Sequence, residues 1–515
     1  MNSFLGGSRD VITYSSFSKA KVLLSIFLSA LLFSGQAFGK ILTTGGRGIH
    51  QTTSGETSSL SLMLSSNKPT SPGHVDLAPD VKLLQSRIDA LVVPYFDSSS
   101  FSGDILAIRN GQVLFNKGYG LADRERVVPI TPQTKFYIAS ISKSFTAAAI
   151  LLLQERGNLR VNDPVSRFIN DFPNGERITI HNLLTHTSGI ADYVRFANFA
   201  ELSKRPYTTG EIIALFRNQP LLFNPGERSS YSNSNYVLLA HIIEKVSGLR
   251  YAEFLKLNFF KPFGMKNTGQ PDASNQSVAN LSNGYTTVGL HGFEAARYFD
   301  HSISTGAGSL YSTTEDIGKW IEGILAGRVL KKSSVEQMYK THADGASGYS
   351  WSLGKLWNRD AIIENGWDGV GFAGTLIHFP TEKVTVVVLG NLNISSVTGE
   401  IANRVSALIM GENPEPLKID REPVPAGLAT RLVGKYKLGD DFFVPGTVIE
   451  IVESEGNLYE QQRNPDRLIG LIRISELEFI HRSSWGKVKF ELDDKGEVTG
   501  MLFYGSFHAS RLPQK

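Results

Sequence analysis

Two residues on one stretch of chain, Ser140 and Lys143, combine a hydroxyl with an amine at a spacing that suits nucleophilic catalysis. They lie in the segment Phe136-Tyr-Ile-Ala-Ser-Ile-Ser-Lys-Ser-Phe145, and residues three apart share one face of a helix. The lysine amine can then accept the serine proton, which a free hydroxyl does not release at neutral pH. The pair predicts a serine acyl hydrolase. The alternative is an N-cap serine beside a solvated lysine.

The sequence around Ser140 distinguishes it from other serines with the same spacing. The spacing recurs in three further pairs, Ser65/Lys68, Ser352/Lys355 and Ser484/Lys487. Only Ser140 follows an apolar, strand-like run, 136–139, and opens a long helical pattern, 144–156, that stops at Gly157. A helix N-terminus favours an oxyanion beside it, because its first N–H groups are unpaired.

A second segment, Asn224-Pro-Gly-Glu-Arg-Ser-Ser-Tyr-Ser-Asn-Ser-Asn-Tyr236, supplies Tyr231 and Asn233. A phenol near a lysine can act as general base in acylation and as general acid toward the leaving group. An Asn amide can accept from the lysine and donate to a substrate carbonyl. Taken alone, the segment is equally typical of a polar turn before a helix.

Together, these segments resemble the penicillin-recognising serine hydrolases: class C β-lactamases, D-alanyl-D-alanine carboxypeptidases, D-aminopeptidases and related carboxylesterases. Four further segments match in the family's order, 118–123, 178–189, 262–268 and 306–316. The resemblance implies Ser140 as nucleophile, Lys143 as its activating partner, Tyr231 as proton shuttle and Asn233 as orienter. It also implies an α+β fold, with an antiparallel sheet flanked by helices, a helical lobe, and the site between them.

The family's third motif, Lys-Thr-Gly or His-x-Gly, is altered in this chain. We align it with Trp367-Asp368-Gly369, which predicts Trp367, Asp368 and Gly369 as substrate-binding residues. By family analogy, the backbone N–H groups of Val370 and Ser140 form the oxyanion hole. Trp367 replaces a cation that attracts a substrate carboxylate, and an indole suits a neutral group better. The alternative for Trp367 is packing in the core.

Composition is typical of a large globular enzyme. The expected mechanism requires no cofactor. The chain has 515 residues, 41% hydrophobic and 20% charged, with a formal net charge of +3. We therefore expect no nucleic-acid partner. There is no cysteine, which excludes disulfides and thiolate metal sites, and the 11 histidines form no metal-binding pattern.

The sequence predicts five parts: a signal peptide at 1–39, a flexible linker at 40–78, a hydrolase domain at 79–412, a linker at 413–426 and an accessory domain at 427–515. The signal combines Lys19 and Lys21 with the apolar run 22–33 and small residues at 37–39. The run is shorter than the roughly 20 residues that span a bilayer. We expect a periplasmic or secreted protein without stable membrane insertion, the alternative being an uncleaved N-terminal anchor.

Local patterns predict several elements. A helix is expected at 79–96, and strands 101–109 and 112–119 form a hairpin through Asn110-Gly111, a type I′ turn signal. Short strand patterns predict a small antiparallel, lipocalin-like barrel in the accessory domain, at 434–438, 448–453, 458–462, 468–474, 478–481, 487–492 and 498–504.

The expected function is an exported serine hydrolase that forms an acyl-enzyme on Ser140, with Lys143 and Tyr231 as its proton-transfer pair. Its substrate is expected to be a small ester or amide, or a peptide, with a neutral group at the third motif. Two alternatives stay open. One is a β-lactamase, D,D-carboxypeptidase or D-aminopeptidase acting on cell-wall-type peptides, and the other is a non-catalytic penicillin-binding-like sensor or scaffold.

Overall fold

The computed structural model describes residues 81–271, 277–342, 347–442, 444–462 and 467–513. The predicted signal peptide 1–39, the linker 40–78 and the pair Ser65/Lys68 lie outside these ranges. In the part of the chain that the structure describes, no helix is both long and apolar enough to cross a membrane.

Helices of the described ranges occur mainly in the first four-fifths of the chain. The α-helices are α1 Val81–Asp97, α2 Ser142–Glu155, α3 Ile180–Leu184, α4 Phe199–Leu202, α5 Thr209–Phe216, α6 Asn233–Ser247, α7 Tyr251–Leu255, α8 Lys261–Phe263, α9 Thr314–Leu325, α10 Lys332–Met338, α11 Ser395–Ile409 and α12 Ala426–Leu432. Short 3-10 helices lie at Ala139–Ile141, Val165–Arg167, Tyr193–Arg195 and His301–Ser304, and a π-helix at Lys256–Phe260.

Strands form a central sheet, three two-stranded ribbons and a C-terminal barrel. They are β1 Gly103–Arg109, β2 Gln112–Tyr119, β3 Leu121–Asp123, β4 Val128–Pro129, β5 Phe136–Tyr137, β6 Tyr285–Val288, β7 Gly292–Ala295, β8 Tyr311–Ser312, β9 Ser352–Leu356, β10 Arg359–Trp367, β11 Ala373–Phe379, β12 Val384–Gly390, β13 Gly434–Leu438, β14 Val448–Ser454, β15 Asn457–Gln461, β16 Leu468–Arg473, β17 Glu478–His481, β18 Gly486–Leu492, β19 Val498–Phe503 and β20 Phe507–Arg511.

The central sheet is antiparallel, in the order β2-β1-β12-β11-β10-β9. One face packs against α2 and the helical lobe, and the other packs against α1 and α11. Because helices cover both faces, β11 and β12 are apolar and buried along their whole length. The α+β fold predicted from the sequence is confirmed.

The predicted hairpin between β1 and β2 is confirmed, and its turn explains why. Asn110 and Gly111 have φ angles of 52° and 76°, the left-handed pair that a type I′ turn requires.

The C-terminal strands close into an antiparallel barrel, β13 to β20, as predicted. The sequence analysis missed β20, which pairs with both β13 and β19 and so closes the barrel. Its residues, Phe507-His-Ala-Ser-Arg511, contain only two apolar side chains and bury only Ala509, so the apolar signal of this strand is weak. Without β20, the edges of β13 and β19 would stay unpaired.

Candidate active site

Ser140 lies in a sharp turn between a strand and a helix. The turn is the 3-10 helix Ala139–Ile141, which leads directly into α2. The strand β5 ends at Tyr137, and α2 begins at Ser142, two residues before the predicted start. Ala139 has a φ of 45°, a left-handed conformation that costs a non-glycine residue on the order of 1 kcal/mol or more. Such strain is typical of functional turns.

Lys143 contacts three oxygens from three parts of the chain. Its Nζ lies 3.0 Å from Ser140 Oγ, 2.9 Å from Asn233 Oδ1 and 2.6 Å from the Ala307 carbonyl oxygen. The amide and carbonyl oxygens can only accept hydrogen bonds, whereas the serine hydroxyl can also donate. An ammonium can donate to all three oxygens, whereas a neutral amine donates to two of them and can accept the Ser140 proton on its lone pair.

The environment of Lys143 favours that neutral form. Burial lowers the pKa of Lys143 to about 7, while the charges of Asp192 and Glu364 act in the opposite direction. The side chain is 2% exposed, so water cannot solvate an ammonium group there. A substantial fraction of Lys143 is consequently an unprotonated base at neutral pH.

Tyr231 completes the contacts of the serine hydroxyl. Its Oη lies 2.7 Å from Ser140 Oγ, and Lys143 Nζ lies 4.9 Å from the centre of its ring. Burial raises the pKa of Tyr231 above its ordinary value. The phenol is therefore protonated at neutral pH and can release a proton to a group that approaches Ser140.

Asn233, the first residue of α6, is held by a carboxylate that the sequence analysis did not identify. Asp192 accepts from the Asn233 backbone N–H at 3.0 Å and from its Nδ2 at 3.2 Å. Because the amide nitrogen is bound to Asp192, the amide oxygen faces Lys143. A single Asp after the Gly189 turn gives no local signal of this contact.

The end of β10, which carries the third motif, forms one wall of the site; we call it the third wall. There Gly366 lies against the turn that carries Ser140, which we call the serine turn. A Cβ at Gly366 would lie 2.2 Å from the Ile138 carbonyl oxygen and 3.3 Å from the Ser140 nitrogen. Only a glycine allows this approach. Since side chains alternate along a strand, Glu364 lies on the same face as Gly366, and Trp367 lies on the opposite face.

The backbone N–H of Trp367 points to an edge of β10 that carries no strand. The Asp368 N–H donates to Phe372 at 3.2 Å, so Asp368 is a residue whose backbone pairs toward β11. Hydrogen-bonding direction alternates along an antiparallel strand, so the neighbouring Trp367 N–H points away from β11. On that side β9 pairs only with residues 359–363. The Trp367 amide therefore faces the open edge, one residue from Gly366 and the serine turn.

Two of the other Ser/Lys pairs with the same spacing, which we call decoy pairs, lie within the described ranges. Neither lies in a turn between a strand and a helix as Ser140 does. Ser352 and Lys355 lie on strand β9, and Ser484 lies in the turn before β18, which contains Lys487. Residues three apart on a strand point to opposite faces. Neither pair can bring an amine onto a serine hydroxyl as α2 does.

Comparison with known proteins identifies the family. A model of the family described as Beta-lactamase matches residues 88–410, more than half of the chain. The chain belongs to the Beta-lactamase family.

Relatives of this β-lactamase-family chain include two proteins of Bacillus subtilis (strain 168). It is 31% identical to "Putative penicillin-binding protein PbpX" over 62% of this chain and 78% of that protein. It is 28% identical to "Penicillin-binding protein 4*" over 79% of this chain and 94% of that protein. Among solved structures, an octameric penicillin-binding protein homologue from Pyrococcus abyssi has a TM-score of 0.59 at 26% identity, covering 82% of this chain and 99% of that one.

The structure contradicts the predicted alignment of the family's third motif. The glycine beside Ser140 is Gly366, not Gly369. The side chain of Trp367 points away from the serine turn, because it lies on the face of β10 opposite Gly366. Its Nε1 donates to Asn393 Oδ1 at 2.6 Å, so the indole N–H is bound within the protein.

Asp368, Gly369 and Val370 form the turn that follows β10. The N–H groups of Val370, Gly371 and Phe372 each donate to Asp368 Oδ1 at 2.9 Å. The Val370 amide is therefore bound within the turn, which contradicts its predicted place in the oxyanion hole, and Asp368 caps the turn instead of contacting substrate. The Trp367 amide is the backbone donor that faces the site.

In the family's motif, the basic residue stands two positions before the glycine. If Gly366 is that glycine, the position of the basic residue is occupied by Glu364. Its side chain is 3% exposed, and Ser350 Oγ donates to its Oε1 at 2.7 Å. Burial raises the pKa of Glu364 well above its usual range, which favours the neutral form of its carboxyl group. Across the described ranges, no group of three or more His, Cys, Asp or Glu residues could hold a metal ion.

Proposed function

We propose that this protein is an acyl hydrolase that forms an acyl-enzyme on Ser140. The observation that carries the proposal is one partly buried hydrogen-bond chain: Lys143 Nζ, Ser140 Oγ and Tyr231 Oη, joined by contacts of 3.0 and 2.7 Å. It supplies a nucleophile, a base with a lowered pKa and a protonated acid within reach of one reacting carbonyl.

In the proposed acylation, Ser140 Oγ attacks the substrate carbonyl carbon while neutral Lys143 takes the hydroxyl proton. The charge that develops on the carbonyl oxygen is stabilised by the backbone N–H groups of Ser140 and Trp367. The bond to the leaving alcohol or amine then breaks. Tyr231 donates its proton to that group and recovers one from Lys143.

Deacylation repeats these transfers with water as the nucleophile. Neutral Lys143 accepts a proton from water, relayed by the Tyr231 hydroxyl, as the water oxygen attacks the ester carbon. The bond to Ser140 Oγ then breaks as Lys143 returns that proton to Oγ. Asn233, fixed by Asp192, keeps the lysine amine oriented through both halves. No cofactor enters any step.

The third wall favours substrates without a carboxylate beside the reacting carbonyl. Glu364 and Gly366 occupy the face of β10 toward Ser140, so this motif offers no positive charge to an anion. A buried carboxyl group and a glycine suit a small ester or amide, or a peptide, with a neutral group there. We also propose that the enzyme is exported, because the N-terminal sequence has the pattern of a signal peptide.

A second candidate function is action on β-lactams or D-alanyl peptides. It is favoured by relatives named penicillin-binding proteins, one of them 31% identical to this chain. The two candidates share the Ser140 chemistry and differ in the acyl group that the third wall accepts.

A fluorophosphonate probe tests the proposed chemistry. We expect one adduct per chain, located on Ser140 by peptide mass spectrometry, and none in the Ser140→Ala variant. The Ser352→Ala variant, altered in a decoy pair, should label like the parent. Folded parent protein that carries no adduct would contradict the hydrolase proposal and favour a sensor or scaffold. Turnover of a short-chain p-nitrophenyl ester, nitrocefin and a D-Ala-D-Ala peptide would then rank the substrate classes.

A further inference from the structure

The side chain of Asn393 bonds both ends of the short segment 367–369 that carries the Trp367 amide. Its Oδ1 accepts from Trp367 Nε1 at 2.6 Å, and its Nδ2 donates to the Gly369 carbonyl oxygen at 3.2 Å. The Trp367 side chain lies on the face of β10 away from Ser140, and Gly369 lies in the turn that follows. One amide group therefore ties down the end of the strand from behind the site.

Asn393 is itself fixed to the β6–β7 hairpin, residues 285–295. The Asn393 backbone N–H donates to the Tyr285 carbonyl oxygen at 2.9 Å, and the Tyr285 N–H donates to Asn391 at 2.9 Å. Tyr285 is 1% exposed. The amide that holds Trp367 thus rests on buried, paired backbone instead of a loop that is free to shift.

The base of the same hairpin packs against the turn after Trp367. A Cβ at Gly371 would lie 2.7 Å from the Gly284 Cα and 3.0 Å from the Ala296 Cβ. The Ala296 N–H donates to Gly284 at 2.9 Å, which closes the base of the hairpin. The hairpin therefore limits movement of the turn as well as of Asn393.

The tip of the hairpin is bound by the barrel. The Gly289 N–H donates to Leu468, and the Gly470 N–H donates to Gly289, at 3.0 and 3.1 Å. Arg482, fully buried, donates to the carbonyl oxygens of Val288 and Gly289 at 2.7 and 3.1 Å. A continuous set of hydrogen bonds thus runs from the barrel through the hairpin to Asn393 and Trp367.

We propose that Asn393 is a positioning residue for the reaction: it holds the Trp367 indole and the Gly369 carbonyl so that the Trp367 N–H stays aimed at the developing oxyanion. This inference rests on the proposed function. An oxyanion donor must be held within about 0.5 Å of its productive position, and a misplacement of about 1 Å can cost 10²-fold in rate. The Trp367 indole and that N–H belong to the same residue, so anchoring the side chain limits movement of the backbone N–H.

Two variants test the proposal, Asn393→Ala and Trp367→Phe. The first removes the acceptor and the donor, and the second removes only the indole N–H while keeping an aromatic ring. With a p-nitrophenyl ester, we expect kcat/KM to fall about 10- to 100-fold. Binding of a boronic acid, whose serine adduct places an oxygen in the oxyanion hole, should weaken by a similar factor, while KM changes less than twofold. The double variant should lose little more kcat/KM than Asn393→Ala, since both changes break the same bond between the Trp367 indole and the Asn393 amide.

The chain contains a matched control, Asn403→Ala. Trp357 Nε1 donates to Asn403 Oδ1 at 2.6 Å, an indole–amide pair of the same length at an exposed position on α11. This variant should match the parent in kcat/KM and in boronic acid affinity. Asn393→Asp provides a milder change that keeps an acceptor for the indole and loses the donor to Gly369, so an intermediate loss is expected.

The outcomes separate this inference from the proposed function. If the parent hydrolyses the ester, and Trp367→Phe and Asn393→Asp bind the boronic acid as the parent does, Asn393 has no positioning role. If these variants lose thermal stability but keep boronic acid affinity, the role is structural only and the inference is likewise overturned. A folded parent that neither labels with fluorophosphonate nor hydrolyses the ester overturns the proposed function, and this inference with it.

Discussion

At the scale of single residues, the chemistry depends on whether Lys143 is neutral. A lysine in water has a pKa of about 10.4 and is almost wholly protonated at pH 7. Here burial outweighs the opposing charges of Asp192 and Glu364 and brings the pKa of Lys143 to about 7. Two of the nearest oxygens can only accept hydrogen bonds, so a neutral amine that donates to them has its lone pair left for Ser140.

The pH dependence of acylation follows from this value. Lys143 must lose its proton to act as the base, so kcat/KM should rise with pH and level off above a midpoint near 7. Below the midpoint it should fall about tenfold per pH unit. The measurement is kcat/KM for a p-nitrophenyl ester between pH 5 and 9. A profile that is flat from pH 5.5 to 8 would show that another group is the base.

The Asp192→Asn variant tests whether the rise of kcat/KM with pH reports the loss of a proton from Lys143. The charge of Asp192 raises the pKa of Lys143, so its removal should move the midpoint to lower pH. A surface carboxylate, Asp163, paired with Arg167 at 2.5 Å, offers the control Asp163→Asn, which should leave the midpoint where it is. An identical shift in both variants would mean that this rise does not report on Lys143.

At the scale of elements, the site forms where a strained turn meets the end of a strand. The left-handed Ala139 places Ser140 ahead of α2, and β10 brings Gly366 against that turn. The uncovered edge of β10 then exposes the Trp367 N–H beside the serine. None of these features is available within one element alone.

Gly366→Ala tests the contact between these two elements. The added Cβ would meet backbone atoms of Ile138, which cannot rotate away, so β10 must shift. We expect kcat/KM to fall at least about 10²-fold. Gly399→Ala on α11 is the control, because its Cβ would lie 3.6 Å from the nearest atom, an ordinary contact, and activity should be unchanged. Parent-like activity in Gly366→Ala would remove β10 from the site.

At the scale of the whole molecule, the barrel is packed against the hydrolase part through buried polar groups. Trp485 of the barrel lies 5.3 Å from the ring of Tyr95, and both residues donate to the carboxylate of Glu400 at 2.8 Å. Arg482 adds a third bond, to the Ser99 carbonyl oxygen at 3.0 Å. These directional hydrogen bonds favour one arrangement of the barrel on the sheet and its helices.

Arg482→Met tests how much this packing stabilises the protein. The carbonyl oxygens of Ser99, Val288 and Gly289 would each lose the Arg482 donor, so the free energy of unfolding should fall by about 3 kcal/mol. Chemical denaturation monitored by tryptophan fluorescence measures it. Arg205→Met, at an exposed ion pair, should change it by less than about 1 kcal/mol. Equal stabilities for the two variants would contradict a stabilising role for Arg482.

The sequence by itself determined the features that depend on local pattern. Ser140 and Lys143 lie three apart on the chain, Tyr231 and Asn233 stand at a helix start, and the structure brings all four together. The Asn110-Gly111 hairpin and the alternating strands of the barrel depend on neighbours along the chain, so they were predictable as well. These residues need only their own element to be interpreted.

The tertiary structure decided the third wall, because its assignment depends on which face of β10 meets the serine turn. The sequence predicted Gly369 as the motif glycine, yet a shift in strand register changes which side chains face the site. The faces were set by the packing of β10 between Ile138 and α11. Asp192, the Ala307 carbonyl and β20 likewise have meaning only through partners distant in sequence. Local pattern identified the nucleophile, whereas long-range packing decided what surrounds the oxyanion.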